Sequence, residues 1–483
     1  MQKRQIMITR IKWKNHNVLG NLELDFTKED GTPYNTIVLA GENGVGKTTI
    51  LDTLATFLSG GAITPFDYIM YVINTVKLRL YYDNDGNDFH KVGFHKRHNI
   101  NTGEVVVINR NKYNDYEWMM NDQLDIRSYG VAYSRARSGF KTNQVKTTTT
   151  MQLDDAKSNI DDDEDFTKIK QLIIDITAQD NSEYFSLAKK KKGKNEEDYE
   201  TFIKNSRIYR FENAFNKFFD NIKFAAVDEQ NSEEKRIIFK KYDKEISIDS
   251  LSTGEKQIVF RGAYLLKNQR MINGGIVLID EPELSMHPLW QEKILEYYRN
   301  IFATSNNLID KKNQKAQMII ATHSEYVIKS ALEDRENVLV IALKNVNGKI
   351  EGHRVDAPTV LPTITLAETN YNTFNIISTD YHIQLYGHLQ TLAGKDSISE
   401  CDEYIENYIN SHSYIDKNIY LKQSSYTDRR GNIISYNTLS TYIRNAIDHP
   451  DNGNKFTDKQ LKESIELLIE IINVERLNGS SGT

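Results

Sequence analysis

The chain has 483 residues, which is long enough for two or three domains. Hydrophobic residues make up 39% and charged residues 27%, with only 7 prolines, so we expect a packed core and exclude a wholly disordered chain. The 61 Lys and Arg residues against 67 Asp and Glu give a net charge of −6. This balance excludes a uniformly basic nucleic-acid binder, although it permits a local basic groove.

Cysteine content and hydropathy exclude two further classes of protein. The single cysteine, Cys401, excludes a disulfide scaffold and a cysteine-based zinc finger. No window approaches 18 consecutive apolar residues, and the N-terminus leads into a strand-like pattern rather than a signal-peptide core. We therefore expect a cytoplasmic protein without a membrane-bound part.

The first 137 residues show an alternation of strand and helix patterns. Alternating polarity at 6–12 and 22–26 predicts antiparallel strands, whereas the unbroken apolar run at 36–40 predicts a strand covered on both faces. Apolar residues at helical spacing then predict a helix over 47–58. Further strands are predicted at 76–82 and 104–108.

The rest of the chain changes character several times. Residues 138–245 are polar and carry the charge runs Asp161–Asp165 and Lys189–Lys192, which predicts a helical insertion with solvated loops. Buried parallel strands are predicted again at 275–280 and 317–322. Residues 346–369 form a connector, 370–477 a mostly helical domain and 478–483 a flexible tail.

A glycine-rich segment follows the predicted strand at 36–40. It runs Gly41-Glu-Asn-Gly-Val-Gly-Lys-Thr48 and opens the predicted helix. Glycines let the backbone turn its N–H groups towards a phosphate, and the helix N-terminus adds the positive end of its dipole. The lysine of such a loop contacts the β- and γ-phosphates, and the hydroxyl after it holds Mg²⁺. The sequence therefore predicts an ATP–Mg²⁺ site formed by Gly41, Asn43, Gly44, Gly46, Lys47, Thr48 and Thr49.

A second buried strand ends in two adjacent acids, in the segment Ile276-Val-Leu-Ile-Asp280-Glu281. Asp280, at the carboxyl end of that strand, is predicted to bind Mg²⁺ through water, together with Thr48. Glu281 is predicted to orient or deprotonate the attacking water.

The segment Leu251-Ser-Thr-Gly-Glu-Lys-Gln257 resembles the L-S-G-G-x-Q signature of the ATP-binding-cassette (ABC) superfamily, with Thr253 in place of the first glycine. His323 follows the strand-like segment 317–322 and is similar to the switch histidine of that superfamily. The loop Glu281–Pro288 is similar to the loop that pairs across the ABC dimer. These similarities cover about residues 1–345.

The resemblance implies an α/β fold, with an ABC-type P-loop ATPase head that contains a helical insertion and precedes a mostly α-helical domain. Residues 1–137 and 246–345 would form the two parts of the head, and 138–245 the insertion. Ser252 and Gly254 would face the γ-phosphate bound to the opposite subunit, so that two copies enclose two ATP molecules, and His323 would contact the γ-phosphate. The glutamine loop of the superfamily stays unassigned between Gln123 and the segment 129–135.

Several features indicate the branch of the superfamily. The signature lies about 205 residues beyond Lys47, much farther than in compact transporter cassettes. The opening strands and G-E-N-G-V-G-K-T-T resemble the branch of SMC, RecF and OLD-like ATPases. The segment Asp280–Pro288 is most similar to ATPases of bacterial anti-phage systems: the ATPase of the Septu system, also found with retrons, and secondly that of the PARIS system. Both pair with a separate nuclease.

The helical domain contains Arg444-Asn-Ala-Ile-Asp-His449, which resembles the R-N-x-x-x-H motif of HEPN-type RNases. The resemblance implies metal-free RNA cleavage in which His449 acts as acid or base and Arg444 stabilises the phosphate. A HEPN-like fold used only for dimerisation or docking is an equal alternative. The third is coincidence, in which Arg444 pairs with Asp448 and His449 ends the helix.

These observations lead to one main hypothesis and two alternatives. The main hypothesis is an ATP-hydrolysing homodimer, or a higher even-numbered oligomer, that regulates an HNH-type nuclease subunit in anti-phage defence. Nucleic acid would be contacted through that partner or through the C-terminal domain. The alternatives are an RNase that uses Arg444 and His449 under the control of its own ATPase head, and a DNA-repair ATPase similar to RecF.

Overall fold

In a computed structural model of the chain, the described residues are 5–82, 95–108, 122–137, 142–154, 156, 158–160, 166–190, 197–228, 234–269, 271, 274–302, 316–355, 360–427, 433–450 and 453–480. The chain divides into two compact units, Met1–Arg354 and Val355–Thr483, called here the N-terminal and C-terminal units. The predicted solvated run Asp161–Asp165 lies outside the described residues, as do residues 191 and 192 of the lysine run.

The N-terminal unit is an α/β structure. Its strands are β1 (Ile6–Trp13), β2 (Glu23–Asp25), β3 (Thr36–Gly41), β4 (Phe66–Ile73), β5 (Val76–Tyr81), β6 (His95–Asn99), β7 (Val105–Ile108), β8 (Val131–Ser134), β9 (Ser158–Ile160), β10 (Ile222–Asp228), β11 (Arg236–Lys241), β12 (Lys244–Ser247), β13 (Ile276–Asp280), β14 (Gln317–Thr322), β15 (Val338–Val346) and β16 (Lys349–Arg354). Its helices are α1 (Lys47–Leu58), α2 (Thr167–Lys190), α3 (Glu197–Asn205), α4 (Ile208–Phe218), α5 (Thr253–Lys267), α6 (Pro288–Ile301) and α7 (Glu325–Glu333).

The larger sheet has seven strands in the order β16-β15-β3-β14-β13-β8-β9. Neighbouring strands from β15 to β9 are parallel, and every residue of β3, β13 and β14 is buried, as their unbroken apolar runs predict. Asp280 pairs in register with Ala321, and Thr322 with Ala40. The carboxyl ends of β13, β14 and β3 are therefore level, and the residues that follow them meet along the carboxyl-terminal edge of the sheet, where the strands end.

A second sheet of six antiparallel strands, β2-β1-β4-β5-β6-β7, packs on the first. Its buried side chains share one hydrophobic core with those of α1 and of the larger sheet, among them Ile8, Leu39 and Leu54. A buried polar link joins the two sheets, since the Gln317 side chain accepts from Ile8 N at 2.7 Å and donates to Ile8 O at 2.9 Å. This two-sided pairing holds β1 in place over β14.

The antiparallel sheet β10-β11-β12 lies in the predicted helical insertion at 138–245, except for the last two residues of β12. Sequence analysis missed these strands because their few apolar residues are set among charged ones, as in Arg236–Lys241. The sheet is covered by α4, whose buried Phe215 lies 6.4 Å from Phe239 between ring centres. The insertion is thus a mixed α/β layer with its own apolar contacts.

The C-terminal unit is mostly helical, as predicted. It contains α8 (Leu366–Phe374), α9 (Thr379–Leu392), α10 (Ile398–Ser411), α11 (Lys417–Tyr420), the hairpin β17 (Leu421–Thr427) and β18 (Ile433–Thr438), α12 (Leu439–Asp448) and α13 (Asp458–Ser480). Helix α13 runs to Ser480, three residues into the predicted flexible tail 478–483, so the boundary predicted at 477 is too early. Throughout the described ranges, each helix is too short or too polar to cross a bilayer.

A buried histidine lies in the core of the C-terminal unit. His382 Nε2 is 2.9 Å from Ser464 Oγ, and Ser464 in turn donates to Ser440 Oγ at 2.8 Å. Because Ser464 uses its proton on Ser440, His382 donates from Nε2. Its Nδ1 is buried and has no hydrogen-bond partner among the described residues. Burial lowers the pKa of His382 to about 3, so the folded unit keeps this imidazole neutral.

Acidification should destabilise the C-terminal unit through His382. The folded pKa of about 3 lies below the usual 6.5, so between these pH values the unfolded chain binds the extra proton. As the pH is lowered from 6.5 towards 3, the free energy of unfolding should therefore decrease, by at most about 1.4 kcal/mol per pH unit from this group. Cys401 is the sole cysteine of the chain and is fully buried, so a thiol reagent can label it only when the C-terminal unit opens. The measurement is the rate of labelling with a reagent that reacts in acid, divided by the rate for the denatured chain at the same pH.

In His382→Gln, this labelling rate should lose most of its dependence on pH between 6.5 and about 5. His412→Gln is the matched control, because it removes a histidine of the same unit that is only partly buried. Equal pH slopes in the wild type and in His382→Gln would show that another group titrates.

Candidate functional site

The loop between β3 and α1 is a tight glycine turn packed against its own unit. Gly41 and Gly46 have φ values of 151° and 86°, which favour glycine. A Cβ on Gly41 would lie 2.6 Å from Leu343 O, and one on Gly46 would lie 2.5 Å from Leu19 Cδ2. Neither position has room for a side chain, and the tip of the loop, residues 42–44, is exposed.

The first turn of α1 leaves backbone donors directed at this loop. The first helical hydrogen bond runs from Ile50 N to Gly46 O at 2.9 Å, so the N–H groups of Lys47, Thr48 and Thr49 precede it. Gly46 provides no side-chain cap for them. Free donors at the positive end of a helix are suited to an anion, and the loop therefore fits the phosphates of a nucleotide.

Lys47 is buried and turns back over the loop. Its Nζ donates to Gly41 O at 2.7 Å and to Glu42 O at 2.9 Å, and it lies 3.3 Å from His323 Nδ1. Burial lowers the pKa of Lys47 to about 8, while the negative charge of Glu281 opposes the shift. The ammonium group therefore stands at the mouth of the loop, where it can meet a phosphate.

Thr48 and Asp280 connect the start of α1 to the end of β13. Thr48 Oγ1 donates to Asp280 Oδ2 at 2.9 Å. Asp280 Oδ1 is buried and has no hydrogen-bond partner among the described residues. Burial raises the pKa of Asp280 to about 6, while the hydrogen bond from Thr48 opposes the shift. A hydroxyl beside a carboxylate with an unused oxygen is a donor set that suits Mg²⁺, so these two residues could hold that ion.

Glu281 and His323 pair at the same edge of the sheet. His323 Nε2 lies 3.1 Å from Glu281 Oε1, and this hydrogen bond lowers the pKa of Glu281. Because His323 Nδ1 faces the ammonium of Lys47, the imidazole carries its proton on Nε2. The backbone of Glu281 has a φ of 44°, a left-handed conformation that is costly for a non-glycine residue. Such strain is typical of functional positions.

A buried arginine that sequence analysis missed holds this strained backbone. Arg261, on α5, donates to Asp280 O at 2.6 Å, to Glu281 O at 2.8 Å and to Ser134 Oγ at 2.9 Å. These bonds tie α5 to the ends of both β13 and β8. The one available signal was a cation inside the apolar helical run 258–266.

Glu283, also missed, organises the loop after β14. Its Oε1 accepts from Thr322 Oγ1 at 2.7 Å, from His323 N at 2.9 Å and from Ser324 N at 3.2 Å. Burial raises the pKa of Glu283 despite these three donors. The carboxyl group thereby fixes the backbone that places His323 opposite Glu281.

The signature segment lies away from this cluster. Ser252 is the exposed N-cap of α5, where it accepts from Glu255 N and donates its own N–H to Glu255 Oε2 at 2.8 Å. A Cβ on Gly254 would lie 2.7 Å from Ser285 O, so the start of α5 packs tightly on the loop 281–288. Within the described part of the chain, no hydrogen bond connects Ser252 with Lys47.

The two candidates for a glutamine loop have different surroundings. Gln123 is exposed, and its carbonyl accepts from Tyr129 Oη at 2.9 Å. The segment 129–135 instead contains β8, which runs parallel to β13, the strand that ends at Asp280. The second candidate therefore ends beside the cluster.

The Arg–His motif of the C-terminal unit lies at the end of α12. Arg444 pairs with Asp448 at 2.7 Å and donates to Asn445 Oδ1 at 3.0 Å. His449 is exposed as the C-cap and donates its N–H to Asn445 O at 3.0 Å. These contacts are those of the ion-pair and capping alternative, and catalysis by Arg444 and His449 stays a prediction.

Residues 37–329 match the protein family described as AAA domain, putative AbiEii toxin, type IV TA system. This match covers more than half of the chain, including β3, the glycine loop, β13, β14 and His323. The chain belongs to this AAA-domain family. The N-terminal unit, with its P-loop and its acid-tipped strand β13, is the part of the chain that carries the family features.

Two curated proteins are similar to the chain. A retron Vc95 probable ATPase from Vibrio cholerae serotype O1 biovar El Tor is 27% identical over 162 residues, which cover 32% of this chain and 29% of the relative. The Septu protein PtuA from Bacillus thuringiensis is 23% identical over 377 residues, which cover 73% of this chain and 82% of the relative. The chain thus matches less than a third of the length of the first relative and most of the second.

Solved structures of SMC head domains are also similar. One is an SMC head bound to the C-terminal winged-helix domain of ScpA, with a TM-score of 0.38 and 16% identity over 72% of this chain and 98% of that chain. Another is the SMC head domain from Thermotoga maritima, with a TM-score of 0.36 and 13% identity over 72% and 99%.

Replacing Glu283 by alanine should disrupt the His323 loop. Three donors would lose their shared acceptor, which should lower the free energy of unfolding of the N-terminal unit by about 2 kcal/mol or more. All three tryptophans of the chain, at positions 13, 118 and 290, precede residue 354, so urea unfolding followed by tryptophan fluorescence reports this unit.

Glu283→Gln is the matched control, because its amide oxygen can accept the same hydrogen bonds without a charge. It should cost less than half as much as Glu283→Ala. If both variants unfold at the wild-type urea concentration, then Glu283 does not hold the loop.

Proposed function

We propose that the chain binds and hydrolyses ATP with Mg²⁺, as an ATP-bridged dimer that regulates a separate nuclease in anti-phage defence. The observation that carries this proposal is the convergence of Lys47, Asp280, Glu281 and His323 at one edge of the sheet, beside the glycine loop. Membership of the AAA-domain family supports nucleotide binding independently of that geometry.

Nucleotide binding would use the loop and the first turn of α1. Backbone N–H groups of residues 41–49 would bind the β-phosphate, and Lys47 would turn from Gly41 O and Glu42 O towards the β- and γ-phosphates. Thr48 and Asp280 would hold Mg²⁺, which supplies positive charge beside the transferring phosphate when it is bound. The unused Oδ1 of Asp280 supports this assignment.

Hydrolysis would depend on Glu281 and His323. The lowered pKa of Glu281 keeps its carboxylate ionised at neutral pH, which is the form that orients water and accepts its proton. To do so, Glu281 must turn from His323 to the water, while His323 becomes free to donate to the γ-phosphate. Arg261 and Glu283 would position these two side chains by holding their backbones.

The dimer would bring the signature of one subunit to the nucleotide of the other. Ser252 caps α5 at an exposed surface, so its hydroxyl and the helix N-terminus can face an anion outside the chain. Gly254 and Ser285 pack together beneath that surface, and Leu289 is 62% exposed close by in sequence. These features support an interface formed by α5 and the loop 281–288.

The regulatory role is supported by the relatives. One relative is named as a retron ATPase and the other as a Septu protein, and the second match covers 73% of this chain and 82% of that relative. We propose that the C-terminal unit docks an HNH-type nuclease subunit and that the nucleotide state of the N-terminal unit controls its release.

Glu281→Gln should retain ATP while it loses hydrolysis. The amide can hold a water but cannot accept its proton, so steady-state phosphate release should fall by about 100-fold or more. ATP should remain bound through gel filtration. Glu333→Gln, which neutralises an exposed carboxylate on α7, is the control and should hydrolyse at the wild-type rate. Wild-type hydrolysis in Glu281→Gln would remove Glu281 from the mechanism.

Ser252→Arg should prevent the ATP-dependent dimer without affecting nucleotide binding by the monomer. A bulky cation at the start of α5 should raise the dissociation constant of the dimer at least about tenfold. Analytical ultracentrifugation of the Glu281→Gln background with ATP measures this effect. Ser186→Arg, at an exposed position of α2, should dimerise normally. A dimer of undiminished affinity in Ser252→Arg would contradict the trans arrangement.

A further inference from the structure

Arg135 directly follows β8, the neighbour of β13 in the sheet. Ile279 pairs in parallel register with Ser134, which makes Arg135 the neighbour of Asp280 one position further along. Neighbouring residues of parallel strands place their side chains on the same face of a sheet, with strands about 4.8 Å apart. Arg135 therefore projects from the same face as Asp280.

The guanidinium group of Arg135 pairs with an acid on α1. Asp52 lies one helical turn after Thr48, and Arg135 Nη2 is 3.3 Å from Asp52 Oδ1. The contact is loose, because Asp52 Oδ1 and Arg135 Nε have no hydrogen-bond partner among the described residues. Both side chains are partly open to solvent, with exposed fractions of 40% and 42%. The ion pair is therefore one that Arg135 can exchange for another partner.

A third polar group without a partner adjoins this pair. The Tyr133 hydroxyl is buried and forms no hydrogen bond within the described ranges. The guanidinium carbon of Arg135 lies 5.4 Å from the Tyr133 ring centre. Burial raises the pKa of Tyr133, and the negative charges of Asp280 and Asp52 and an interaction of the hydroxyl with the Asp52 carboxylate raise it further. The Arg135 guanidinium, the Asp52 carboxylate and the Tyr133 hydroxyl thus form one polar group of side chains, held together by weak contacts.

We propose that Arg135 binds the terminal phosphate of ATP, by turning from Asp52, and that it makes the site prefer the triphosphate to the diphosphate. This inference rests on the nucleotide function proposed above and assigns one further residue to it. The triphosphate is bound through its last phosphate group by a side chain that the diphosphate does not contact.

The energetics favour such a transfer. A loose, half-exposed ion pair contributes only about 0–1 kcal/mol, so leaving Asp52 costs little. A guanidinium that donates two parallel hydrogen bonds to a phosphate forms a considerably stronger, charge-assisted contact. Asp52, at one turn beyond Thr48, would then hold Arg135 near the site until the terminal phosphate competes for it.

Different parts of the site would contact different phosphates, so a change at Arg135 should affect only the binding of the triphosphate. The glycine loop and the first turn of α1 contact phosphates through backbone N–H groups and would serve ADP and ATP alike. Arg135 instead follows strand β8, which lies on the other side of β13 from β14 and His323. Removing its charge should therefore weaken triphosphate binding and leave diphosphate binding unchanged.

The test is isothermal titration of the full chain with MgAMP-PNP and, separately, with MgADP. Arg135→Met removes the charge and keeps the aliphatic stem over Tyr133. It should weaken MgAMP-PNP about 10- to 100-fold and change MgADP less than about twofold. Arg135→Lys keeps a charge without the two-pronged geometry and should give an intermediate loss. Asp52→Asn should bind MgAMP-PNP as tightly as the wild type or up to about fivefold tighter.

Arg10→Met is the matched control, since Arg10 is 43% exposed and pairs with Asp25 away from the site. It should leave both affinities unchanged. An unchanged ratio of the two affinities in Arg135→Met, or an equal loss of both, would overturn the assignment of Arg135. A loss of MgAMP-PNP affinity in Asp52→Asn would overturn the competition with Asp52. A wild type that binds neither nucleotide would instead reject the proposed function itself.

Discussion

The level carboxyl ends of the parallel strands β3, β14, β13 and β8 are the constraint on which the candidate site depends. At or directly after its end, each strand contributes functional groups to the candidate site: the glycine loop with Lys47 after β3, His323 after β14, Asp280 and Glu281 at the end of β13, and Arg135 after β8. A shift of one residue in any pairing would move these groups by about 3.3 Å and turn the side chain to the opposite face. The hydrogen bond from Thr48 to Asp280 exists because β3 and β13, which are not neighbours, are both held by β14.

Two kinds of charged residue surround this edge, and they differ in how they are held. Arg261 and Glu283 are buried, and each forms three or more hydrogen bonds that offset the cost of removing a charge from water. Lys47, Glu281 and Arg135 instead form contacts with neighbours that a nucleotide could replace. Arg261 and Glu283 therefore hold the backbone of the site, whereas Lys47, Glu281 and Arg135 can exchange their present partners for the nucleotide.

Local patterns were sufficient to predict one part of the site. The glycine loop with Lys47 and Thr48, and the acids after the apolar strand at 276–280, are contiguous in sequence, so strand, turn and helix signals place them without knowledge of the fold. Arg261 and Glu283 were not predictable in this way, because their roles depend on acceptors and donors contributed by other strands. The same holds for Asp52, whose partner Arg135 belongs to a strand that only the sheet order places beside α1.

Strands β10–β12 were missed for a different reason. Strands β10–β12 bury few apolar residues and carry many charges, so neither period 2 nor period 3.6 stands out in their sequence. Their stability comes from the helix above them, through the contact of Phe215 with Phe239. In the C-terminal unit, by contrast, the strong apolar stripe of α13 predicted the helix, although not its last turn.

The bonds of Arg261 link the candidate site to the exposed start of α5. Arg261 belongs to α5, and its guanidinium donates to the carbonyls of Asp280 and Glu281. The backbone of Glu281 has a left-handed conformation. If Glu281 relaxes to the common right-handed conformation, its carbonyl must rotate away from the guanidinium, and Arg261 loses a buried hydrogen bond unless α5 moves with it. Ser252 caps the same helix, so a movement of α5 that accompanies Glu281 would also move the surface that is proposed to meet a second subunit. Helix α4, packed on the same α5 through Phe215 and Gly262, would be displaced as well.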